Sequence, residues 1–278
     1  MKVMMKTPST RRLEFLLSFC LFCSWITLGG CAGPAGSSQV GAPRGDIVTE
    51  SDETAERKRA SIRMQLALGY LERGETTVAL DEVKQALQID PTYSDAFSLR
   101  GLIYMRLNDF PIAEESFNKA LSLKPHDSNV LHNMGWLKCQ DGRYSQAMDY
   151  FAQAVANPLY PERAKTYMAQ GLCQIKAGQL PEAEASLVKS YGYDAGNPVT
   201  GYNLANLLYQ RQEFVRALFY IRRLNNSELA NAESLWLGIK IERRMGNREA
   251  MNQLAVQLVK RFAQSPQAVL YQRGAFDE

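Results

Sequence analysis

Histidine is almost missing from this sequence: His126 and His132 are the only two in 278 residues. They stand six apart, whereas two ligands on one helical face stand three or four apart, and no cysteine or carboxylate completes a set beside them. A metal site is therefore not expected. Neither G-x-x-x-x-G-K-[ST] nor G-x-G-x-x-G occurs, which removes the usual phosphate and dinucleotide cradles. No nucleophile stands with a base and no carboxylate pair marks a cleft, so the expectation is a non-enzyme with no cofactor and no small-molecule substrate. Long apolar runs are also lacking. The longest, from Phe15 to Thr27, falls short of the about 20 residues that a helix needs to cross a bilayer.

That short run has a setting. Lys2, Lys6, Arg11 and Arg12 precede it, and Leu28-Gly29-Gly30-Cys31 follows it. A basic start and a brief apolar stretch form a secretory signal. The four residues after it resemble the lipobox of bacterial lipoproteins, in which small residues precede a cysteine that is acylated and becomes the new N-terminus. The resemblance implies residues 1–30 as a lipoprotein signal peptide and Cys31 as the lipidation site. In that family's sorting rule an aspartate after the cysteine retains the protein at the inner membrane. Ala32 stands here, so the implied address is the periplasmic face of the outer membrane, with a lipid anchor.

Net charge is the next absence. The whole chain carries 32 basic and 29 acidic residues, but residues 1–30 hold four of the former and one of the latter. The remainder balances at zero, and without a basic excess nucleic acid is not an expected partner.

Residues 31–52 supply Cys31 and a segment rich in Gly, Pro and Ser, from Ala32-Gly33-Pro34 to Ala42-Pro43-Arg44-Gly45. Such a composition buries too little apolar surface to fold, so a flexible tether is expected, with a coil span on the order of 25 Å. From residue 53 to 278 the pattern is helical and repetitive. Small residues recur at Ala67, Gly101, Gly135, Gly171, Ala205 and Gly238, and a second series runs in phase at Ala79, Ala113, Ala147, Ala183, Ala217 and Ala250. Between the two series lie short turns, among them Arg73-Gly74-Glu75, Leu107-Asn108-Asp109 and Asp141-Gly142-Arg143. Gly or Asn there suits the left-handed residue that ends a helix, so each repeat reads as a helical hairpin. Pro91 and Pro125 close the first two copies, since proline cannot continue a helix interior.

Small residues at this beat permit two helix axes to approach within about 8 to 10 Å, with large residues filling the space around them. Phe97 and Tyr104 flank Gly101, and Phe117 stands opposite. These positions, with Ala113, Ala120 and Pro125, resemble the signature of the tetratricopeptide repeat (TPR) family over roughly residues 60–264. The resemblance implies an all-α fold, a right-handed superhelical solenoid of about six TPR hairpins with a concave face. One residue too many lies between Gly238 and Gly246, which leaves the sixth copy's register open. Cys139 and Cys173, the two cysteines outside residues 1–31, fall at different positions of adjacent copies. Two free, helix-packed thiols are expected, with a single bridge as the alternative in an oxidising compartment.

In the TPR family the concave groove holds peptides or partner helices. Its positions map here onto Ser61, Met64, Leu68 and Leu71, then Asp95, Ser98, Leu102 and Met105, then Asn129, His132, Trp136 and Cys139. The fourth copy gives Lys165, Met168, Leu172 and Ile175, and the fifth Val199, Tyr202, Asn206 and Tyr209. Leucines, methionines and aromatics dominate, a composition suited to an amphipathic or extended segment, with Trp136 as the expected anchor. Packing between repeats is the competing role for each of them. The chain's end, Lys260-Arg261-Phe262-Ala263-Gln264-Ser265-Pro266 and Tyr271-Gln272-Arg273-Gly274-Ala275-Phe276, together with lipobox and repeat count, resembles the type IV pilus biogenesis lipoproteins known as pilotins. That resemblance implies a secretin subunit as the partner held in the groove. A general lipoprotein adaptor for cell-wall hydrolases or outer-membrane protein assembly shares the same repeats and lipid, and stands as the alternative.

Overall fold

The computed structural model describes residues 52–277; Cys31, the signal segment and nearly all of the expected tether lie outside the described residues. Thirteen α-helices and no strand occur among those residues. Helix α1 (Ala55–Glu72) pairs with α2 (Thr76–Ile89), α3 (Ser94–Arg106) with α4 (Phe110–Leu123), and α5 (Ser128–Gln140) with α6 (Tyr144–Ala156). The pairs continue as α7 (Arg163–Lys176) with α8 (Leu180–Tyr193), α9 (Pro198–Gln210) with α10 (Phe214–Asn225), and α11 (Ala232–Arg244) with α12 (Arg248–Arg261); α13 (Pro266–Arg273) follows alone. This is a TPR solenoid of six hairpins.

Local chemistry explains the boundaries. Side chains of Thr54, Asp127, Asn197 and Asn231 accept from the first backbone amides of α1, α5, α9 and α11, satisfying donors that a helix start leaves open. Every hairpin turn contains one residue at positive φ: Gly74, Asn108, Gly142, Gly178, Gln212 and Gly246. Gln212 is the costly one, because a Cβ in that region is opposed by roughly 1–2 kcal/mol of steric strain. The variant Gln212→Gly relieves the strain but widens the unfolded ensemble, so a net gain of about 0.5–1 kcal/mol is expected. A urea midpoint that fails to rise in that variant would count against the turn geometry.

The two small-residue series sit where the hairpins are tightest. A Cβ on Gly101 would lie 2.5 Å from the Phe117 ring, on Gly135 2.8 Å from Phe151, and on Gly171 2.6 Å from Leu187. Phe117, Phe151 and Leu187 are fully buried, so hydrogen on the first helix is matched by bulk on the second, sixteen residues later. The sixth hairpin corrects the expected register. Its turn comes one residue late: Gly238 is still buried, where a Cβ would lie 2.5 Å from the Asn225 side chain and 3.0 Å from Leu254, but Ala250 is only half-buried, and Ile239, Ala255 and Leu258 are the apolar residues buried beside them. Ile239 and Ala255 are again sixteen apart, with the sizes exchanged. A large residue on the first helix and a small one on the second fill the same space, which close packing allows when total volume is kept.

Each odd-numbered helix from α1 to α9 also touches the next odd-numbered helix, while successive even-numbered helices make no comparable contact among the described residues. The closely spaced row lies on the inside of the curve, so α1, α3, α5, α7, α9 and α11 form the concave layer. At the far end α13 packs on α11 and α12. Phe276 stacks on the buried Trp236 at 5.4 Å between ring centroids, with Tyr271 edge-on to Phe276. The Tyr271-to-Phe276 segment thus covers the apolar outer face of the sixth hairpin.

Candidate concave binding site

Three first helices build a cleft of about 280 Å³ on the concave layer. Helix α1 contributes Met64 and Leu68, α3 contributes Asp95, Ser98, Leu99 and Leu102, and α5 contributes Asn129, Val130 and Asn133, with Asp127 at its cap. These side chains converge because residues three or four apart share a helix face, and because α1, α3 and α5 stack in parallel. Leu99 and Val130 are buried and form the floor, whereas Leu68 stands 46% exposed at the rim. The carboxylates are held in place: Asp95 pairs with Lys124 at 2.8 Å, and Asp127 accepts from the backbone amides of Asn129 and Val130. An apolar floor under Ser98, Asn129 and Asn133 can accept an apolar side chain while the rim's polar groups meet the backbone that carries it.

Met64, Leu68 and Leu102, all expected groove residues, therefore meet in one cleft. Leu71 and Met105 are half-buried and pack into the cores of the first two hairpins. Trp136 is half-buried beside the Cys139 and Cys173 cluster, with the Lys176 ammonium 5.4 Å from its ring centroid. Met168, Leu172 and Asn206 are half-buried on α7 and α9. Tyr202 and Tyr209 pack on the core shared by α9, α10 and α11, and Lys240 sits 5.6 Å over Tyr209. Burial pushes the Tyr202 phenol above its ordinary pKa. Asn133 completes the rim but was not among the expected positions; its spacing of four from Asn129 is the signal that marks it.

Two expectations are overturned at the junction of the third and fourth repeats. His132 does not line the groove. It is 6% exposed and wedged between α5 and α7, with Nδ1 2.9 Å from the Thr166 hydroxyl, which in turn donates to Tyr160 at 3.4 Å. Burial, and secondarily the charge of Lys165, pulls its pKa down to about 4. Cys139 and Cys173 are not free thiols but form a disulfide, with Cα atoms 5.8 Å apart. Gly135 and Gly171 stand 36 apart, while Cys139 with Cys173 and His132 with Thr166 are each 34 apart. Position n of α5 therefore faces position n minus two of α7, and comparison of equal positions misses both pairs. Among the described residues no three His, Cys, Asp or Glu side chains gather into a metal-binding group, and no helix is long and apolar enough to cross a membrane.

Comparison with known proteins is consistent with this geometry. Tetratricopeptide repeat families match residues 94–127 and 132–198. The type IV pilus assembly protein PilF of Pseudomonas aeruginosa is 30% identical over 195 residues, 70% of this chain and 77% of that protein. The solved structure of Pseudomonas aeruginosa PilF superposes with a TM-score of 0.70 at 28% identity, covering 80% of this chain and 100% of the other. PilW, described as a widely conserved type IV pilus biogenesis factor, superposes with a TM-score of 0.67 at 30% identity, covering 77% and 98%.

Proposed function

Because the chain belongs to the family of TPR proteins of type IV pilus biogenesis that includes PilF and PilW, we propose that it acts as a pilotin: an outer-membrane lipoprotein that binds secretin subunits and promotes their localisation and assembly into a multimeric pore. The acyl chains on Cys31 supply the membrane address, and more than one chain makes such anchoring stable. The repeat array holds the secretin segment as a scaffold and does not transform it. The observation that carries the reading is the concave cleft of Met64, Leu68, Leu99, Leu102 and Val130 rimmed by Ser98, Asn129 and Asn133, which suits one apolar anchor of an amphipathic or extended segment.

The test is a crosslinked pull-down of the acylated protein from outer membranes, read by mass spectrometry, in the parent and in Leu68→Asp. Leu68 is nearly half exposed at the rim, so the substitution spares the core while placing a charge where an apolar anchor must seat. Losing one such contact and desolvating a carboxylate lowers secretin recovery by about tenfold or more, which corresponds to about 1.4 kcal/mol or more of binding free energy. Undiminished recovery in Leu68→Asp would remove the cleft from the binding surface. Recovery of cell-wall hydrolases without secretin would replace the pilotin role by that of a general adaptor. Cys31→Ser is expected to bind secretin but to leave it away from the outer membrane.

A further inference from the structure

One recurring turn joins successive repeats, and joins the sixth repeat to α13; it is seen at Asp90–Tyr93, Lys124–Asp127, Asn157–Tyr160, Asp194–Asn197, Ser227–Ala230 and Phe262–Ser265. In each, the amide of the fourth residue donates to the carbonyl of the first. In four of the six, the side chain of the first residue also accepts from the amide of the third: Asp90 from Thr92, Asn157 from Leu159, Asp194 from Gly196 and Ser227 from Leu229. Turns held this way point the third residue at solvent, and it is exposed in all six: Thr92, His126, Leu159, Gly196, Leu229 and Gln264. Four of these suit water. Leu159 and Leu229 do not, yet they are 88% and 54% exposed.

Further features accompany the two leucines. An arginine braces each turn: Arg163 donates to the Asn157 carbonyl at 2.7 Å, and Arg261 to the Ala230 carbonyl at 3.1 Å. Between the two turns, at the end of α8, Tyr193 is 57% exposed and stacked on Tyr167 with Arg163 beside it. In an antiparallel hairpin array the second helices end and the first helices begin along one edge. The start of α1 at Ala55 therefore lies on the same edge as these turns, and some twenty residues separate it from Cys31.

We propose that this edge, through Leu159, Tyr193 and Leu229, seats in the headgroup layer of the bilayer to which the chain is anchored. The inference rests on the lipid anchoring in the functional reading above. Single leucines on separate rigid turns do not form the contiguous patch that a protein partner needs, whereas a planar lipid interface accepts isolated apolar tips, tyrosine rings and arginines together. Glu162 and Glu228 lie beside these turns and offset the arginines, so attachment of the edge depends on apolar insertion more than on anionic lipid and changes little with salt. The edge then faces the membrane, and the concave cleft opens sideways along it.

The experiment uses the full acylated chain on vesicles of phosphatidylethanolamine and phosphatidylglycerol, with an environment-sensitive fluorophore on Leu159→Cys, on Leu229→Cys or, at the opposite edge, on Asn247→Cys. The expected result is co-flotation of all three, blue-shifted emission and several-fold quenching by brominated lipid at positions 159 and 229, and neither at 247. Protein that floats with the vesicles while all three probes report water overturns the seating of the edge and leaves the anchor intact. Protein that does not float at all overturns the anchoring reading, and this proposal with it.

Discussion

Reducing the Cys139–Cys173 bond lowers the stability of the folded array by roughly 3–4 kcal/mol at 25 °C, the chain entropy restored when a loop of this length is opened in the unfolded state. The bond ties α5 to α7 across a separation of 34 residues. It lies at the junction where the small-residue spacing lengthens to 36, beside the His132, Thr166 and Tyr160 contacts. The loss belongs to this seam first, since a repeat contacts only its neighbours. Urea unfolding with and without a strong reductant, and of Cys139→Ser/Cys173→Ser, should show the same drop in midpoint. A parent whose midpoint ignores the reductant would mean that the thiols are free in solution.

Mild acid is expected to weaken the same seam. The His132 ring titrates at about 4 in the folded chain against about 6.5 in an unfolded one. Folding thus favours the neutral ring, and the stability this supplies is complete above pH 6.5 and is lost as pH falls from there to 4. Over that window the loss amounts to about 3 kcal/mol. The carboxyls of Asp90 and Glu114 respond at lower pH. Burial raises both, but hydrogen bonds from Thr92 and Arg57 to the first, and from Arg143 and Lys138 to the second, outweigh it and hold each below its ordinary range. Unfolding midpoints at pH 7, 5.5 and 4.5 in the parent and in His132→Asn separate the two. The variant should flatten the profile across these values, and a parent profile already flat there would exclude a buried neutral imidazole.

The parts of this architecture legible in the residues are those fixed within one hairpin. The beat of Ala67, Gly101, Gly135, Gly171 and Ala205 places the tight contacts, because a missing side chain on one helix answers a bulky one sixteen residues on. The turn glycines are equally plain, since a left-handed residue has few occupants. What failed depends on how one hairpin rests on the next. His132 and the cysteine pair are governed by the offset of α7 along α5, which two extra residues alter and which no periodicity within a helix reports. The cleft was partly legible for the same reason: Met64, Leu68 and Leu102 follow helix faces and Asn133 follows from Asn129 four residues before it, whereas Leu99 and Val130 become its floor only once α5 is stacked on α3. Ile239 escaped because its small neighbour Gly238 was taken to hold the register, whereas the helix and its turn are set one residue later.

The aromatic cover on the sixth hairpin makes the array directional as a set of parts. Any of the first five hairpins can in principle be duplicated next to its like, since each offers a small residue on its first helix and a larger one on its second. The last hairpin keeps a small residue facing a larger one in Gly238 and Leu254 but adds Ile239 against Ala255, and its outer face is fitted to Trp236, Tyr271 and Phe276. Lengthening the chain by recombination therefore works among the first five hairpins, whereas a copy placed directly against the outer face of the sixth must displace Tyr271 and Phe276.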